Sequence, residues 1–410
     1  MTTSEQRPVI LLSPPPARFS FENKIPTPTI STTFSTLSRK LSSLSLRSSP
    51  PSPRPGDDAC TPTNLSGSSF LLLPNDDYSH LKTTSIVVSD GHNTPYLPPS
   101  PTFSACTTPT SERAQPSVIL QDKYRDHKKG KTIGTGATAK LRLLESNTTK
   151  SIVAIKTFRK RDHKDESRKG YDKRMTSEFC ISKTLSHQHV VQVFDLLKDK
   201  KGRWCTVMEY CAGGDVFSIL QQFDLSDGEI DCLFKQLLLG VQHIHQSGVA
   251  HRDIKPENLV MTTTGLLKIA DFGVADVVQS CFDQDSRLSR GKCGSEPYWS
   301  PQLFYSDEYN GRAFDIWSCA VTWHCMLYRR IPFFKACNED PNYIDFLKAR
   351  KDRSWIPLSK CNAHEREGLY GMFDPDEKTR WTIDQVMTSP WIESIPVCYE
   401  SFDNHRHHFY

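Results

Sequence analysis

The sequence has no apolar run approaching the ~18 residues that a membrane-spanning helix needs, and Met1-Thr2-Thr3-Ser4-Glu5-Gln6 is not a basic segment leading into an apolar one. Neither secretion nor a transmembrane segment is expected. Cysteines are present, but no two of them form a Cys-x-x-Cys pair and their number, 13, is odd. A disulfide framework or a zinc site is therefore disfavoured, and reduced thiols in the cytoplasm fit better. Charge of one sign is also missing. A formal balance of +4 over 410 residues is weak for a nucleic-acid binder, so no nucleic-acid partner is expected. The densest basic stretch, Arg159 to Arg174, is broken by Asp162, Asp165, Glu166 and Asp172 and reads as a solvated helix face. No repeat recurs at solenoid or propeller spacing, which argues against a stacked array.

What is present is unevenly spread. Residues 1–118 are dominated by Ser, Thr and Pro, with apolar runs as short as Val9-Ile10-Leu11-Leu12 and Phe70-Leu71-Leu72-Leu73. Such a segment buries too little apolar surface to offset the entropy of ordering it, and is expected to be a disordered regulatory arm. It carries Ser-Pro or Thr-Pro steps at Ser13, Thr27, Ser49, Ser52, Thr61, Thr94, Ser100 and Thr108. These are acceptors for upstream proline-directed kinases, or the chance product of that composition. Arg39-Lys40-Leu41-Ser42 is a short match to a basophilic site.

Residues 119–393 regain aromatic and branched apolar residues and suffice for one large core, and 394–410 read as a polar tail. Residues 128–158 and 190–209 read as strands, and 171–186 as a helix. Ile230, Leu233, Phe234, Leu237, Leu238, Val241 and Ile244 repeat at the spacing of one buried helical face, with Ser226 and Glu229 as a capping box and Gly248 as the stop. Further helices are expected near 313–328 and 382–388. The fold class is α+β: a small sheet lobe carrying one helix, then a larger helical lobe.

Phosphoryl transfer requires holding a polyanion, neutralising it with metal and aligning a hydroxyl. Gly134-Thr135-Gly136-Ala137-Thr138-Ala139-Lys140-Leu141 lies between two expected strands, where glycine lets backbone amides approach phosphate. Taken alone it equally fits a hairpin turn. In Val153-Ala154-Ile155-Lys156 a lysine interrupts an apolar strand, and a buried cation needs a partner: a nucleotide phosphate, or Glu178 on the following helix. His251-Arg252-Asp253-Ile254-Lys255-Pro256-Glu257-Asn258 is then followed by Asp271-Phe272-Gly273. Asp253 can accept a hydrogen bond from a substrate hydroxyl and take its proton. Asn258 and Asp271 offer the oxygen ligands that suit magnesium.

Together these residues resemble the signature set of the protein kinases. The resemblance implies a two-lobed kinase fold with an antiparallel-sheet N-lobe, and ATP-dependent phosphorylation of protein serine or threonine. ATP and Mg2+ are the implied cofactors. Catalytic roles fall to Asp253, Lys255, Lys156 and Glu178, with Lys255 being the choice of serine/threonine over tyrosine kinases. Nucleotide binding falls to Ile133, Gly134, Thr135, Gly136, Ala137, Leu141, Ala154, Lys156, Met208, Glu209, Cys211 and Asp215, with Met208 as gatekeeper and Asp215 near the ribose. Metal binding falls to Asn258 and Asp271. Gly294-Ser295-Glu296-Pro297-Tyr298 resembles the loop that seats the acceptor peptide, and Asp315 the anchor of the catalytic loop. Cys293 to Trp299, Glu178 to Ser182 and the long arm are similar to the fungal halotolerance and nitrogen-permease-reactivator group, which implies control of plasma-membrane transporters.

Three positions depart from the family pattern. Gln302 replaces the glutamate that pairs with an arginine matching Arg380, so a less stable large lobe is expected. Gly291 replaces the activation-loop phosphothreonine that would tie down Arg252, leaving Ser286 and Ser289 as substitutes. Cys325 stands where a second acid would read basic substrates beside Glu257. A pseudokinase scaffold would predict damage at Lys156, Asp253 or Asp271, which is not seen; a small-molecule kinase is disfavoured by Lys255. His405, His407 and His408 read as a frayed polar tail rather than a metal site.

Overall fold

The computed structural model describes residues 118–136, 138–161, 166–280, 285–399 and 407. The Ser/Thr-Pro steps, Arg39 to Ser42, Ala137, His405 and His408 lie outside them.

Branched and apolar residues alternating with polar ones set up five strands: β1 (His127–Thr135), β2 (Ala139–Ser146), β3 (Ile152–Phe158), β4 (Val193–Lys198) and β5 (Trp204–Glu209). They form one antiparallel sheet in the order β1-β2-β3-β5-β4. Leu144, Ile155, Cys205 and Val207 bury one face together with Leu120, from the helical turn Leu120–Lys123 that precedes the sheet. Helix α1 (Arg168–Thr184) packs against β4. It starts ahead of the expected residue 171 because Ser167 caps it, accepting a hydrogen bond from the Gly170 amide at 3.0 Å.

The second lobe opens with β6 (Gly214–Asp215), α2 (Val216–Gln222) and α3 (Asp227–Gln246). The apolar stripe of α3 is buried as expected, and Ser226 and Glu229 cap each other reciprocally. Gly248 is required where it stands: its φ is +77°, and a Cβ would lie 2.1 Å from the Gln279 carbonyl oxygen. Short strands follow, namely β7 (Val249–Ala250), β8 (Leu259–Met261), β9 (Leu267–Ile269), β10 (Asp276–Val277), β11 (Ser289–Arg290) and β12 (Glu308–Tyr309). They pair as β6-β8-β9, β7-β10 and β11-β12. Helices α4 (Gly311–Tyr328), α5 (Pro341–Arg350) and α6 (Ala363–Met372) complete the lobe. The helix expected at 382–388 is Ile383–Met387, held by a Thr382/Gln385 capping box. The core is built around α3 and α4, where Trp317 meets Phe373 edge-on at 5.4 Å and Phe333 at 5.8 Å.

Arg380 is 3 % exposed. Its guanidinium donates to Gln302 Oε1 at 3.0 Å and to the carbonyls of Asp374 (2.8 Å), Ala313 (2.9 Å) and Pro375 (3.3 Å). Hydrogen bonds thus satisfy the buried cation, but no carboxylate forms an ion pair with it among the described residues. Burial pushes its pKa down to about 10. Gln302→Glu would replace a neutral hydrogen bond by a charge-assisted one, roughly twice as strong. The bond that Gln302 donates to the Pro375 carbonyl would be lost, although Arg380 still donates to that oxygen. The expected net gain is about 1 kcal/mol, a rise in Tm of about 2–4 °C, which calorimetry would read. An unchanged or lower Tm would mean that the nearby acids already neutralise Arg380.

His324, 1 % exposed, lies flat beside Trp355 and its Nδ1 is 2.8 Å from the Arg330 carbonyl oxygen. Burial lowers its pKa from 6.5 to about 4. Because the folded value is below the unfolded one, protons bind the unfolded chain preferentially between those limits, and stability present above pH 6.5 is lost as the pH falls towards 4. The loss from this group is about 3 kcal/mol at full protonation. Thermal melts across that window should show a smaller slope for His324→Phe than for the wild type.

Candidate active site

Strand register assembles one wall of the cleft. Gly134 pairs with Leu141, Leu141 with Lys156, and Lys156 with Thr206; two residues back on β3, Ala154 pairs with Met208. Directly opposed residues, and residues two apart on a strand, share a face. Gly134, Leu141, Ala154, Lys156 and Met208 are therefore brought to one side of the sheet. The turn closes with Gly136 N–H donating to the Ala139 carbonyl at 2.9 Å. A Cβ at Gly134 would meet Leu141 Cβ at 3.6 Å, and one at Gly136 would meet Ala139 O at 3.7 Å, both ordinary contacts. The protein's own packing thus does not demand these glycines, and the space above them is left open.

Lys156 Nζ lies 2.9 Å from Glu178 Oε1 on α1 and 2.7 Å from Asp271 Oδ1. Burial acts to lower its pKa, but the charges of Asp271 and Glu178 outweigh burial and hold it above the ordinary value. In turn the Lys156 charge holds the Asp271 carboxyl well below the usual carboxylate range. Asp271 has a φ of +67° and Arg252 one of +64°. For non-glycine residues this costs on the order of 1–3 kcal/mol and survives only where the surroundings impose it.

Asp253 is held at both oxygens. Oδ2 accepts from Lys255 Nζ at 2.8 Å and Asn258 Nδ2 at 2.9 Å, and Oδ1 accepts from the Ser295 amide at 2.9 Å. Lys255 Nζ also donates to Ser295 Oγ at 2.7 Å, which joins the loop at Gly294 to Pro297 to the catalytic segment. Gly294 makes that approach sterically feasible: its φ is +75°, and a Cβ would sit 2.3 Å from the Arg252 carbonyl oxygen. Beneath the segment, Asp315 on α4 is wholly buried and accepts from the amides of His251 (2.8 Å) and Arg252 (2.7 Å), with His245 Nε2 at 2.9 Å.

The remaining sequence candidates fall around this centre. Glu209 ends β5, where its Oε1 accepts from the Gln192 amide at 2.6 Å and pairs with Lys268 at 2.9 Å. Its side chain is therefore committed to the protein, as is its amide, which donates to the Gln192 carbonyl at 2.9 Å. Cys211 follows, half-buried. The Asp215 carboxylate caps α2, accepting from the Ser218 amide and hydroxyl, both at 2.8 Å. Ile133 and Thr135 flank Gly134 at the end of β1, with Ile133 39 % exposed.

The protein kinase domain family matches residues 127–392, and this match contains every motif described above. The chain belongs to the protein kinase family. Among its relatives, it is 40 % identical over 258 residues to the serine/threonine-protein kinase HAL4/SAT4 of Saccharomyces cerevisiae, covering 62 % of this chain and 42 % of that protein. It is 38 % identical over 279 residues to the serine/threonine-protein kinase hal4 of Schizosaccharomyces pombe, covering 65 % of this chain and 43 % of the relative. To the nitrogen permease reactivator protein of S. cerevisiae it is 31 % identical over 314 residues, 66 % of this chain and 39 % of the relative. The kinase thus spans about two fifths of the length of these relatives, and its narrower resemblance to the fungal halotolerance and nitrogen-permease group is carried by them.

Two expectations are corrected. Ser289 cannot stand in for the missing activation-loop phosphothreonine, because it is wholly buried and donates to Asp276 Oδ2 at 2.8 Å. Arg252 is instead engaged by the Val274 carbonyl (2.8 Å), the Arg290 carbonyl (3.1 Å), the Tyr309 hydroxyl (3.2 Å) and Asp276 at 4.0 Å. Ser286 remains exposed, with Arg312 Nη1 at 3.0 Å. Cys325 is 3 % exposed with its sulfur 3.7 Å from Tyr298 Oη, so the position that lacks the second acid is also buried. His407 is not part of a frayed tail: it is 4 % exposed. The sequence reading missed Asp276, Tyr309 and His245, whose partners only the fold supplies.

Proposed function

We propose that this chain is an ATP-dependent serine/threonine protein kinase. The observation that carries the reading is the convergence of residues remote in sequence: Lys156 bridges Glu178 and Asp271, while Asp253 is fixed by Lys255, Asn258 and Ser295. The donors fit a magnesium nucleotide. Asp271 and Asn258 offer hard oxygen atoms, Lys156 is a fixed cation, and the glycines at 134 and 136 leave backbone open to phosphate. Magnesium held by Asn258 and Asp271 would offset the negative charge of the phosphates.

In this reading Lys156 pairs with the α- and β-phosphates and Glu178 keeps it in place. Met208, Glu209 and Cys211 receive the adenine, with Ile133, Thr135, Leu141 and Ala154 lining its site and Asp215 near the ribose. Asn258 and Asp271 are the metal ligands, with Asn258 using its carboxamide oxygen because Nδ2 already donates to Asp253. Asp253 orients the acceptor hydroxyl and takes its proton as the hydroxyl oxygen bonds to the γ-phosphorus, while the bond from that phosphorus to the β–γ bridging oxygen breaks and ADP leaves. Lys255, already beside Asp253, steadies the charge of the transferring group.

Its substrates would be protein serine and threonine hydroxyls. Plasma-membrane transporters are the proposed class, resting on the name of one relative, the nitrogen permease reactivator protein. We place the kinase in a reducing, ATP-supplied compartment such as the cytoplasm; the ten described cysteines are free. Its domain is proposed to start at residue 119, since Leu120 is part of the sheet-lobe core, and to run past 393, since Ile395 and Val397 are buried. The test is phosphotransfer by the full chain to a peptide library, with phosphoamino-acid analysis of the products. Label on serine and threonine alone is expected; phosphotyrosine would overturn the substrate class, and no label would favour a scaffold without turnover.

A further inference from the structure

In the large lobe, Cys232 of α3, Cys398 and His407 bring one ligand atom each to within 4.8 Å of one another. Cys232 is wholly buried, His407 is 4 % exposed and Cys398 is half-buried. Cys232 Sγ is 3.7 Å from His407 Nε2. A tetrahedral zinc ion with Zn–S of about 2.3 Å and Zn–N of about 2.0–2.1 Å holds sulfur and nitrogen about 3.6 Å apart, so this edge has the length that zinc requires.

The surroundings suit a thiolate at Cys232, and the Cys398 thiol faces the Gly265 carbonyl oxygen at 3.7 Å. Gln236 Nε2 lies 3.3 Å from Cys232 Sγ and 3.6 Å from Cys398 Sγ, and its orientation is fixed because Oε1 accepts from the Leu267 amide at 2.8 Å. The Cys398 amide donates to Cys232 Sγ at 3.4 Å. Two N–H groups aimed at Cys232 Sγ favour negative charge there, and an anion taken out of water calls for a cation. On the far side of the imidazole, Glu229 Oε1 stands 4.0 Å from His407 Nδ1, while Oε2 is held by the Ser226 amide and hydroxyl at 2.9 and 2.8 Å. A carboxylate beyond the ring places negative charge behind a cation bound at Nε2. Gly265 makes the space: a Cβ there would meet His407 Cδ2 at 3.2 Å and Cys398 Sγ at 3.6 Å.

We propose that Cys232, Cys398 and His407 form a zinc-class metal site that fastens the chain after the last helical turn (Pro390–Ser394) to α3. Spacing alone could not reveal it, since the three ligands lie on separate stretches of chain and form no Cys-x-x-Cys or His-x-x-x-His pair.

The test uses the full chain, purified under reductant and without a histidine tag. Elemental analysis is expected to give one zinc per chain, and cobalt exchange a thiolate-to-cobalt absorption band that a magnesium site of oxygen ligands cannot produce. Cys398→Ser and His407→Gln, on the tail and not on the core helix, are each expected to weaken zinc binding by about tenfold or more, and Glu229→Gln by about tenfold. Chelation should lower the Tm of the wild type and leave that of the two tail variants unchanged. Substoichiometric zinc without a cobalt band, binding that survives both tail substitutions, or a Cys232–Cys398 disulfide in the purified protein would each overturn the site.

Discussion

Asp253→Asn is expected to slow phosphotransfer by about 10²–10⁴-fold, the usual range for loss of a positioned general base, while nucleotide binding is retained. The substitution is nearly isosteric, but its effect is not confined to basicity. Asp253 accepts on both oxygens, from Lys255 and Asn258 on one side and the Ser295 amide on the other. Asparagine must turn an NH2 group towards one of those donors. The catalytic segment therefore loses either the Ser295 bond or both the Lys255 and Asn258 bonds, depending on which way the amide points, at a local cost of about 1–3 kcal/mol for each donor left unsatisfied. Steady-state kinetics should show kcat falling with little change in KM for ATP, because the carboxylate acts on the acceptor and not on the nucleotide. A large rise in KM for ATP with kcat preserved would assign Asp253 to nucleotide binding.

Lys156→Met is expected to fail differently. Its ammonium lies within 3 Å of two carboxylates from separate elements, Glu178 of α1 and Asp271. Without it those acids face each other uncompensated, and the Asp271 pKa returns towards the ordinary carboxylate range from which the Lys156 charge displaced it. Removing one preorganised charge from a phosphate site typically costs about 10²–10³-fold in kcat. Here the link between the sheet lobe and the catalytic segment is lost as well, so the upper end of that range is expected. The stabilisation of the fold by ATP, read as a shift in Tm, should shrink in Lys156→Met and persist in Asp253→Asn. Equal shifts in both variants would contradict the division of labour proposed for the two residues.

The parts of this site that could be read from sequence are those whose chemistry is local. A lysine interrupting Val153-Ala154-Ile155 has to be paired, and Asp253 and Asn258 sit on one short segment. The apolar stripe and capping box of α3 are equally local, and both appear in the fold. What could not be read depends on contacts between distant elements. Ser289 looks like any exposed hydroxyl until β11 pairs with β12 and its hydroxyl donates a hydrogen bond to Asp276. Arg380 seems to lack a partner until the carbonyls of Ala313, Asp374 and Pro375 close around it. His407 reads as one of three tail histidines, yet the fold seats it against Cys232, 175 residues earlier. Helices α5 and α6 carry only short apolar patterns, and their positions are set by the aromatic cluster that they cover.

Transfer of label from γ-labelled ATP to a serine peptide, by the purified full chain with and without magnesium, tests the central claim most directly. The account expects incorporation that requires magnesium and is lost in Lys156→Met, Asp253→Asn and Asp271→Asn. No label from the wild type, or label that persists through all three substitutions, would contradict it.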